Sequence, residues 1–225
     1  MKRKIIVTKD GSTTIQLLDW DEQYHSKNGA IQEAKHVFIK YGLSEIKTKE
    51  ITILEIGFGT GLNAFITFLE AQKRNLKIHY VGVEAYPVLK EEIDKMNYVT
   101  ELNAQNQKDI FDEMHNSNWD KIYSITTDFS LKKRKQFFEE IEDKNSFNLI
   151  YFDAFGAPVQ PELWTESIFK RMYNALKNNG ILVTYSAKGS VRRAMQSVGF
   201  FVERLPGPLG KREMLRATKK EIKNL

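Results

Sequence analysis

The chain has 225 residues, 41% of them hydrophobic, a net charge of +5 and no cysteine. This length suits one generous domain, or one domain with an N-terminal extension, and the apolar content is enough to bury a core, which excludes disorder as the default. The lack of cysteine excludes disulfides, thiolate metal sites and cysteine nucleophiles and fits a reducing, cytoplasmic setting. No apolar run approaches the roughly 20 residues that cross a bilayer, and MKRKIIVTKDGS has no signal-like apolar region, so no membrane partner is expected.

Residues 5–8 and 13–18 alternate around Asp10-Gly11 and predict a β-hairpin. Residues 28–41 place Ile31, Ala34, Val37, Phe38 and Tyr41 on one helical face, with Asn28 as cap and Gly42 as stop. These elements make residues 1–48 an N-terminal extension and residues 49–225 the main domain. From residue 50, predicted strands at 51–56, 78–84, 121–127, 147–153 and 180–186 alternate with predicted helices at 61–73, 87–95, 130–142, 161–177 and 189–197. Such alternation argues for a parallel sheet covered on both faces. Segments 199–205 and 211–218 read as two more strands, joined by a connection (Pro206 to Gly210) so short that they must be antiparallel neighbours. The expected fold is α/β and Rossmann-like: a seven-stranded, mostly parallel sheet with an antiparallel C-terminal strand, as in class I methyltransferases. Basic residues cluster at 132–135, 188–193 and 211–220. The first cluster reads as a solvated helix face, the other two as better placed for phosphates.

In ITILEIGFGTGLNAF, residues 51–65, an apolar strand runs into Gly57-Phe58-Gly59-Thr60-Gly61 and then an amphipathic helix. Glycines there permit a tight turn and close approach of backbone to a ligand. Glu84 ends the next strand, where a carboxylate can take two ribose hydroxyls. The third glycine comes sooner than in G-x-G-x-x-G, and Glu55 precedes the loop, a pattern like the E/D-x-G-x-G-x-G motif of S-adenosylmethionine-dependent methyltransferases. In that reading the acid reaches the methionine amino group while the turn passes under the nucleoside. The alternatives are dinucleotide binding and a turn that serves only strand–helix packing. Asp128, after the third strand, either contacts the adenine amino group or caps a helix beginning near Ser130.

FNLIYFDAFGAPVQPELW, residues 147–164, delivers Asp153 to the carboxyl edge of the sheet, beside the crevice where open α/β sheets bind ligands. Methyl transfer from a sulfonium needs an unprotonated nucleophile held close, but no metal and no covalent intermediate. An amine arrives as an ammonium, and a carboxylate can bind it, take its proton and aim the lone pair. Phe152 and Phe155 flank the aspartate and either stack on a base or pack the core. The four histidines are scattered, with no metal spacing, and no serine sits in a G-x-S-x-G elbow.

The ordered set LEIGFGTGLNAF, VGVEAYP, YFDAFGAPVQPELWTESIFKRM, SAKGSVRRAMQSVGF and GPLGKREML, with DEQYHSKNGAIQEAKHVFI before it, resembles the methyltransferase domain of the MnmC family over nearly the whole chain. That family is the tRNA 5-methylaminomethyl-2-thiouridine methyltransferases. The resemblance implies methyl transfer from S-adenosyl-L-methionine, leaving S-adenosyl-L-homocysteine, to the primary amine of 5-aminomethyl(-2-thio)uridine at the wobble position, with the tRNA anticodon stem-loop as partner. It places Glu55, Gly57, Phe58, Gly59, Gly61 and Asn63 in the cofactor loop, Glu84 on the ribose, Asp153 as the active-site aspartate and Phe155 as its aromatic neighbour. Lys188, Arg192, Arg193, Lys211 and Arg212 fall in motifs read here as contacting RNA phosphates. No metal or flavin is expected in this chain.

Two departures stand out. The family loop reads D-x-F-A-P-x-K-x-P, whereas here the first proline is shifted to Pro158 and Val159 replaces the lysine. The bifunctional members also carry a flavin-dependent oxidase domain for which 225 residues have no room, so a separate enzyme is expected to supply the aminomethyl precursor. The competing readings are a methyltransferase or aminopropyltransferase acting on a small amine, and a non-catalytic nucleoside-binding module.

Overall fold

The computed structural model describes residues 2–221. Strands β1 (Arg3–Val7) and β2 (Thr13–Leu17) form the predicted hairpin, with Ile5 opposite Ile15, and β3 (Glu22–Gln23) extends it to a three-stranded sheet. Asp10 closes the hairpin loop, accepting from the Ser12 amide at 3.1 Å and the Thr8 hydroxyl at 2.7 Å. Helix α1 (Ala30–Ala34) follows and widens into a π-helical stretch over Lys35–Lys40, burying Val37, Phe38 and Ile39.

The main sheet is built from β4 (Glu50–Ile56), β5 (Lys77–Val83), β6 (Ile122–Thr126), β7 (Phe129–Arg134), β8 (Phe147–Phe152), β9 (Leu176–Thr184), β10 (Phe201–Pro206) and β11 (Glu213–Thr218). Its order is β10-β11-β9-β8-β4-β5-β7-β6. The five inner strands β9, β8, β4, β5 and β7 run parallel; β11 is antiparallel to both β9 and β10, and β6 is antiparallel to β7. The fold is therefore the expected α/β, Rossmann-like one, with eight strands rather than seven. Covering it are α2 (Leu62–Arg74), α3 (Lys90–Ile93), α4 (Tyr98–Glu101), α5 (Lys108–Asn116), α6 (Glu166–Ala175) and α7 (Gly189–Ser197).

The eighth strand comes from a misread segment. Residues 130–142, expected as a helix, hold most of the strand β7 and then a 3-10 turn over Phe138–Glu140, and the expected third strand at 121–127 is the outer edge strand β6. Phe129, Leu131 and Lys133 alternate inward, so the burial has the two-residue period of a strand. Lys133 is 2% exposed and donates to the His115 carbonyl at 2.7 Å, which is how a lysine occupies a core-facing position. Other differences are smaller: the helix expected at 87–95 is one turn, the one expected at 161–177 is α6 after a short 3-10 turn, and α4 and α5 lie where no element was assigned.

The core lies in two layers. One cluster joins the face of α2 to the N-terminal extension, so that Ile15, Ala30, Val37, Phe38 and Leu43 share a core with Ile51, Phe65 and Tyr151. The other fills the α6–α7 face with Leu54, Ile150, Phe169, Met172 and Leu182. Residues 1–48 are thus distinct in topology but continuous with the main domain in packing. No helix among the described residues is long and apolar enough to cross a membrane.

Candidate active site

Parallel strands bring all their carboxyl ends to one edge, and at that edge opens a cavity of about 1260 Å³. This exceeds the volume usual for one small ligand and leaves room for two side by side. The half at the ends of β4, β5 and β7 is lined by Gly57, Phe58, Gly59, Glu84, Tyr86 and Phe137. The half at the ends of β8 and β9 is lined by Asp153, Phe155, Tyr185 and Lys188, together with Trp20, Tyr24 and Glu33 from the N-terminal extension and Lys211 from the β10–β11 loop.

Gly57 leaves β4 with φ +88°, and a Cβ there would lie 2.7 Å from the Asp153 carbonyl. Only glycine lets the loop bend while β8 ends beside it. The Glu84 carboxylate accepts from the Gly59 amide at 3.1 Å and the Tyr86 amide at 3.0 Å, which fixes it at the mouth of the loop with acceptor capacity remaining. Burial raises its pKa despite these bonds.

Asp153 follows β8, its amide donating to the Ile56 carbonyl at 2.9 Å. Its Oδ2 accepts from Asn63 Nδ2 at 2.8 Å, and the same nitrogen donates to Glu55 Oε1 at 2.9 Å; Glu55 Oε2 accepts from the Tyr80 hydroxyl at 2.9 Å. The pKa of Asp153 is raised to about 7, first by desolvation and then by the nearby Glu33 carboxylate, with Asn63 and Lys211 pulling it back. Asn63 Oδ1 is buried without a hydrogen-bond partner among the described residues. Trp164 Nε1 donates to the Phe155 carbonyl at 2.7 Å and the Tyr185 hydroxyl to the Ala154 carbonyl at 2.8 Å, so both sides of the 153–155 turn are tied down. Phe155 meets Tyr24 edge-on at 5.0 Å and Trp20 at 6.0 Å.

Gly57, Phe58, Gly59, Asn63, Glu84, Asp153, Phe155, Lys188 and Lys211 line one cavity. Glu55 does not reach it. It is fully buried, its pKa is driven well above the usual carboxylate range by desolvation, and it acts on the cavity only through Asn63. Gly61 is the left-handed cap of α2, packed against His115 rather than open to a ligand. Asp128 lies at the opposite edge of the sheet, exposed in the β6–β7 turn, with its carbonyl accepting from the Ile78 amide at 2.8 Å. It neither touches the cavity nor caps a helix, because β7 begins there and its carboxyl end is at Arg134. Arg192, Arg193 and Arg212 lie outside the cavity lining. Sequence reasoning missed Trp20, Tyr24, Glu33 and Tyr185; only Tyr185, just past a strand's carboxyl end, carried a signal of its own.

The fit to S-adenosylmethionine is chemical. A glycine turn lines the cavity beside the fixed Glu84 carboxylate, and such a carboxylate can accept from ribose hydroxyls.

Residues 98–220 match a family model described as S-adenosyl-L-methionine-dependent methyltransferase. The chain is 30% identical over 214 residues to the tRNA 5-methylaminomethyl-2-thiouridine biosynthesis bifunctional protein MnmC of Leptospira borgpetersenii, an alignment covering 87% of this chain and 32% of that protein. The Campylobacter fetus protein of the same name is also 30% identical, over 88% of this chain and 33% of its own length. The chain therefore spans about one third of the curated relatives it matches. The crystal structure of MNMC2 from Aquifex aeolicus superposes with a TM-score of 0.77 at 25% identity, covering 97% of this chain and 71% of that one. A spermidine synthase with a bound transition-state analogue shares the fold alone, with a TM-score of 0.54 at 14% identity over 97% of this chain and 74% of its own. The chain belongs to the S-adenosyl-L-methionine-dependent methyltransferase family, as an MnmC-type methyltransferase domain.

Proposed function

We propose that this enzyme methylates the primary amine of 5-aminomethyl(-2-thio)uridine at the wobble position of tRNA. The observation that carries the reading is the position of Asp153: a desolvated carboxylate on the floor of the cavity, between the glycine turn and an aromatic wall of Phe155, Tyr24 and Trp20. S-adenosylmethionine supplies a methyl group activated on a sulfonium. Gly57, Phe58, Gly59 and Glu84 hold its nucleoside end. Asp153 binds the acceptor's ammonium, takes its proton and leaves the nitrogen lone pair free for in-line attack. Its pKa of about 7 suits it to accept and later release that proton at neutral pH. Phe155, Tyr24 and Trp20 supply faces and edges for a splayed anticodon base. The family relationship to proteins named for 5-methylaminomethyl-2-thiouridine biosynthesis supports the substrate.

Lys188 at the start of α7, with Arg192, Arg193 and Arg212, makes no salt bridge among the described residues and is available to RNA phosphates. Mass spectrometry of tRNA nucleosides with and without the gene tests the reading: loss of 5-methylaminomethyluridine with accumulation of the aminomethyl form is expected. An unchanged nucleoside profile rejects it.

A second reading, a small polyamine as acceptor, is favoured by the charge of the acceptor half, where Glu22, Glu33, Asp153 and Glu162 outnumber Lys188 and Lys211. Steady-state assays with putrescine and with an anticodon stem-loop separate the two.

A further inference from the structure

Lys211 was grouped with the phosphate-contacting cations, but its side chain turns inward, is 34% exposed and pairs with Glu33. Its ammonium lies 3.9 Å from the centroid of the Tyr185 ring and close enough to Asp153 to lower that carboxyl's pKa. We infer that Glu33, the face of Tyr185 and Asp153 form a receptor for a primary ammonium group, which Lys211 occupies until the acceptor's amine displaces it. The inference deepens the reading of an amine acceptor and rests on it.

The walls of this receptor are built without the lysine. Glu33 is 9% exposed, and its second oxygen accepts from the Ser26 amide at 2.9 Å. Tyr185 is fixed by its bond to the Ala154 carbonyl, and Asp153 by Asn63. A carboxylate pair beside an aromatic face attracts an ammonium by charge, hydrogen bonding and cation–π contact. Lys211 itself sits on the β10–β11 loop beside Gly210, whose φ is +85°, so its ammonium reaches the cage from a turn. The end of a lysine side chain is CH₂–NH₃⁺, the same group that a 5-aminomethyluridine presents. Exchanging one for the other leaves the charge of the cavity unchanged, whereas a hydroxymethyl group would strand Glu33 without a cation.

The test is a calorimetric titration of 5-aminomethyluridine, with 5-hydroxymethyluridine as the neutral control, into the full chain saturated with S-adenosylhomocysteine. Lys211→Met should bind the amine about tenfold tighter and the hydroxymethyl nucleoside no differently, since one competing charge-assisted contact is removed. Lys211→Gln, which keeps a hydrogen-bond donor to Glu33, should shift the amine in the same direction and serves if the methionine variant does not fold. Glu33→Gln should weaken the amine at least about tenfold. Unchanged amine affinity in the lysine variants, whatever their melting temperatures, would show that the ion pair merely pins the loop and would overturn the inference. Weaker amine binding in them would overturn it too, by making Lys211 a direct contact to the acceptor. Homocysteine-product binding and tRNA methylation are read separately, so their failure counts against the methyltransferase reading and not against the receptor.

Discussion

The two halves of the cavity are built in opposite ways. The cofactor half is made mainly by short-range chain: a strand, a glycine turn, a helix and the next strand, within residues 50–86 and joined by Phe137 after β7, with backbone amides fixing the Glu84 carboxylate. The acceptor half is assembled from both ends of the chain and its middle, with Trp20 and Glu33, Asp153 and Phe155, and Tyr185 and Lys211 meeting only after folding. A donor held by backbone constrains the sequence locally. An acceptor held by side chains on separate elements can be changed one element at a time, which is how one scaffold serves many chemistries.

The sharpest way to break this comparison is Asp153→Ala. If the halves act separately, turnover falls about a thousandfold, the scale of general-base and positioning effects, while calorimetric affinity for S-adenosylhomocysteine stays within about threefold. A large loss of cofactor affinity would mean that the Asn63 bridge couples the halves into one site.

Glu84→Ala is the converse and smaller in effect. Removing an acceptor that serves two ribose hydroxyls should weaken the cofactor about 30-fold, as expected for hydrogen bonds to a charged group. The acceptor KM, measured at saturating cofactor, should not change. A raised KM would show that the nucleoside of the donor forms part of the acceptor wall.

The same contrast explains what the sequence disclosed. The glycine turn, Glu84 and Asp153 were legible because each lies at a strand's carboxyl end, within a pattern read over fewer than about twenty residues. Strand β7 was not, because Lys133 sits at an inward position of Phe129–Arg134 and made a buried strand look like a charged helix face. Losing that strand moved the expected third carboxyl end from Arg134 to Asp128, the wrong edge of the sheet. Glu55 differs for another reason: burial against Tyr80 and Asn63 leaves it outside the cavity lining. Trp20 and Glu33 had no local signal at all, since only the packing of the extension onto α2 turns them toward the cavity.

Acidity offers a further probe of the acceptor half. With Asp153 titrating at about 7, kcat/KM for the amine should rise through neutral pH and level off once the carboxylate is formed. Glu33 and Lys211 face Asp153 with opposite effects, the carboxylate raising its pKa and the ammonium lowering it. Glu33→Gln should therefore move the inflection to lower pH, and Lys211→Gln to higher pH. Profiles that overlay with the parent's would place the titrating group elsewhere.

The smallest expected effect is on stability, and it asks whether the acceptor half is strained for function. The pKa of the Asp153 carboxyl, ordinarily 3.8, is raised to about 7 in the folded chain. Between those values the folded chain holds a proton that the unfolded chain has lost, so stability falls as pH rises through the interval and stays lower above it. Asp153→Asn cannot ionise and escapes this penalty. It should melt with the parent near pH 4 and about 4 °C above it at pH 8, an increment of one to two kcal/mol for a chain of this size. The cofactor half makes the control: Glu84→Ala leaves the Gly59 and Tyr86 amides without their acceptors and should lower the melting temperature at pH 8. A stabilising Asp153→Asn beside a destabilising Glu84→Ala would show that the backbone contacts of the donor site help hold the fold together, while the acceptor aspartate is kept at the fold's expense.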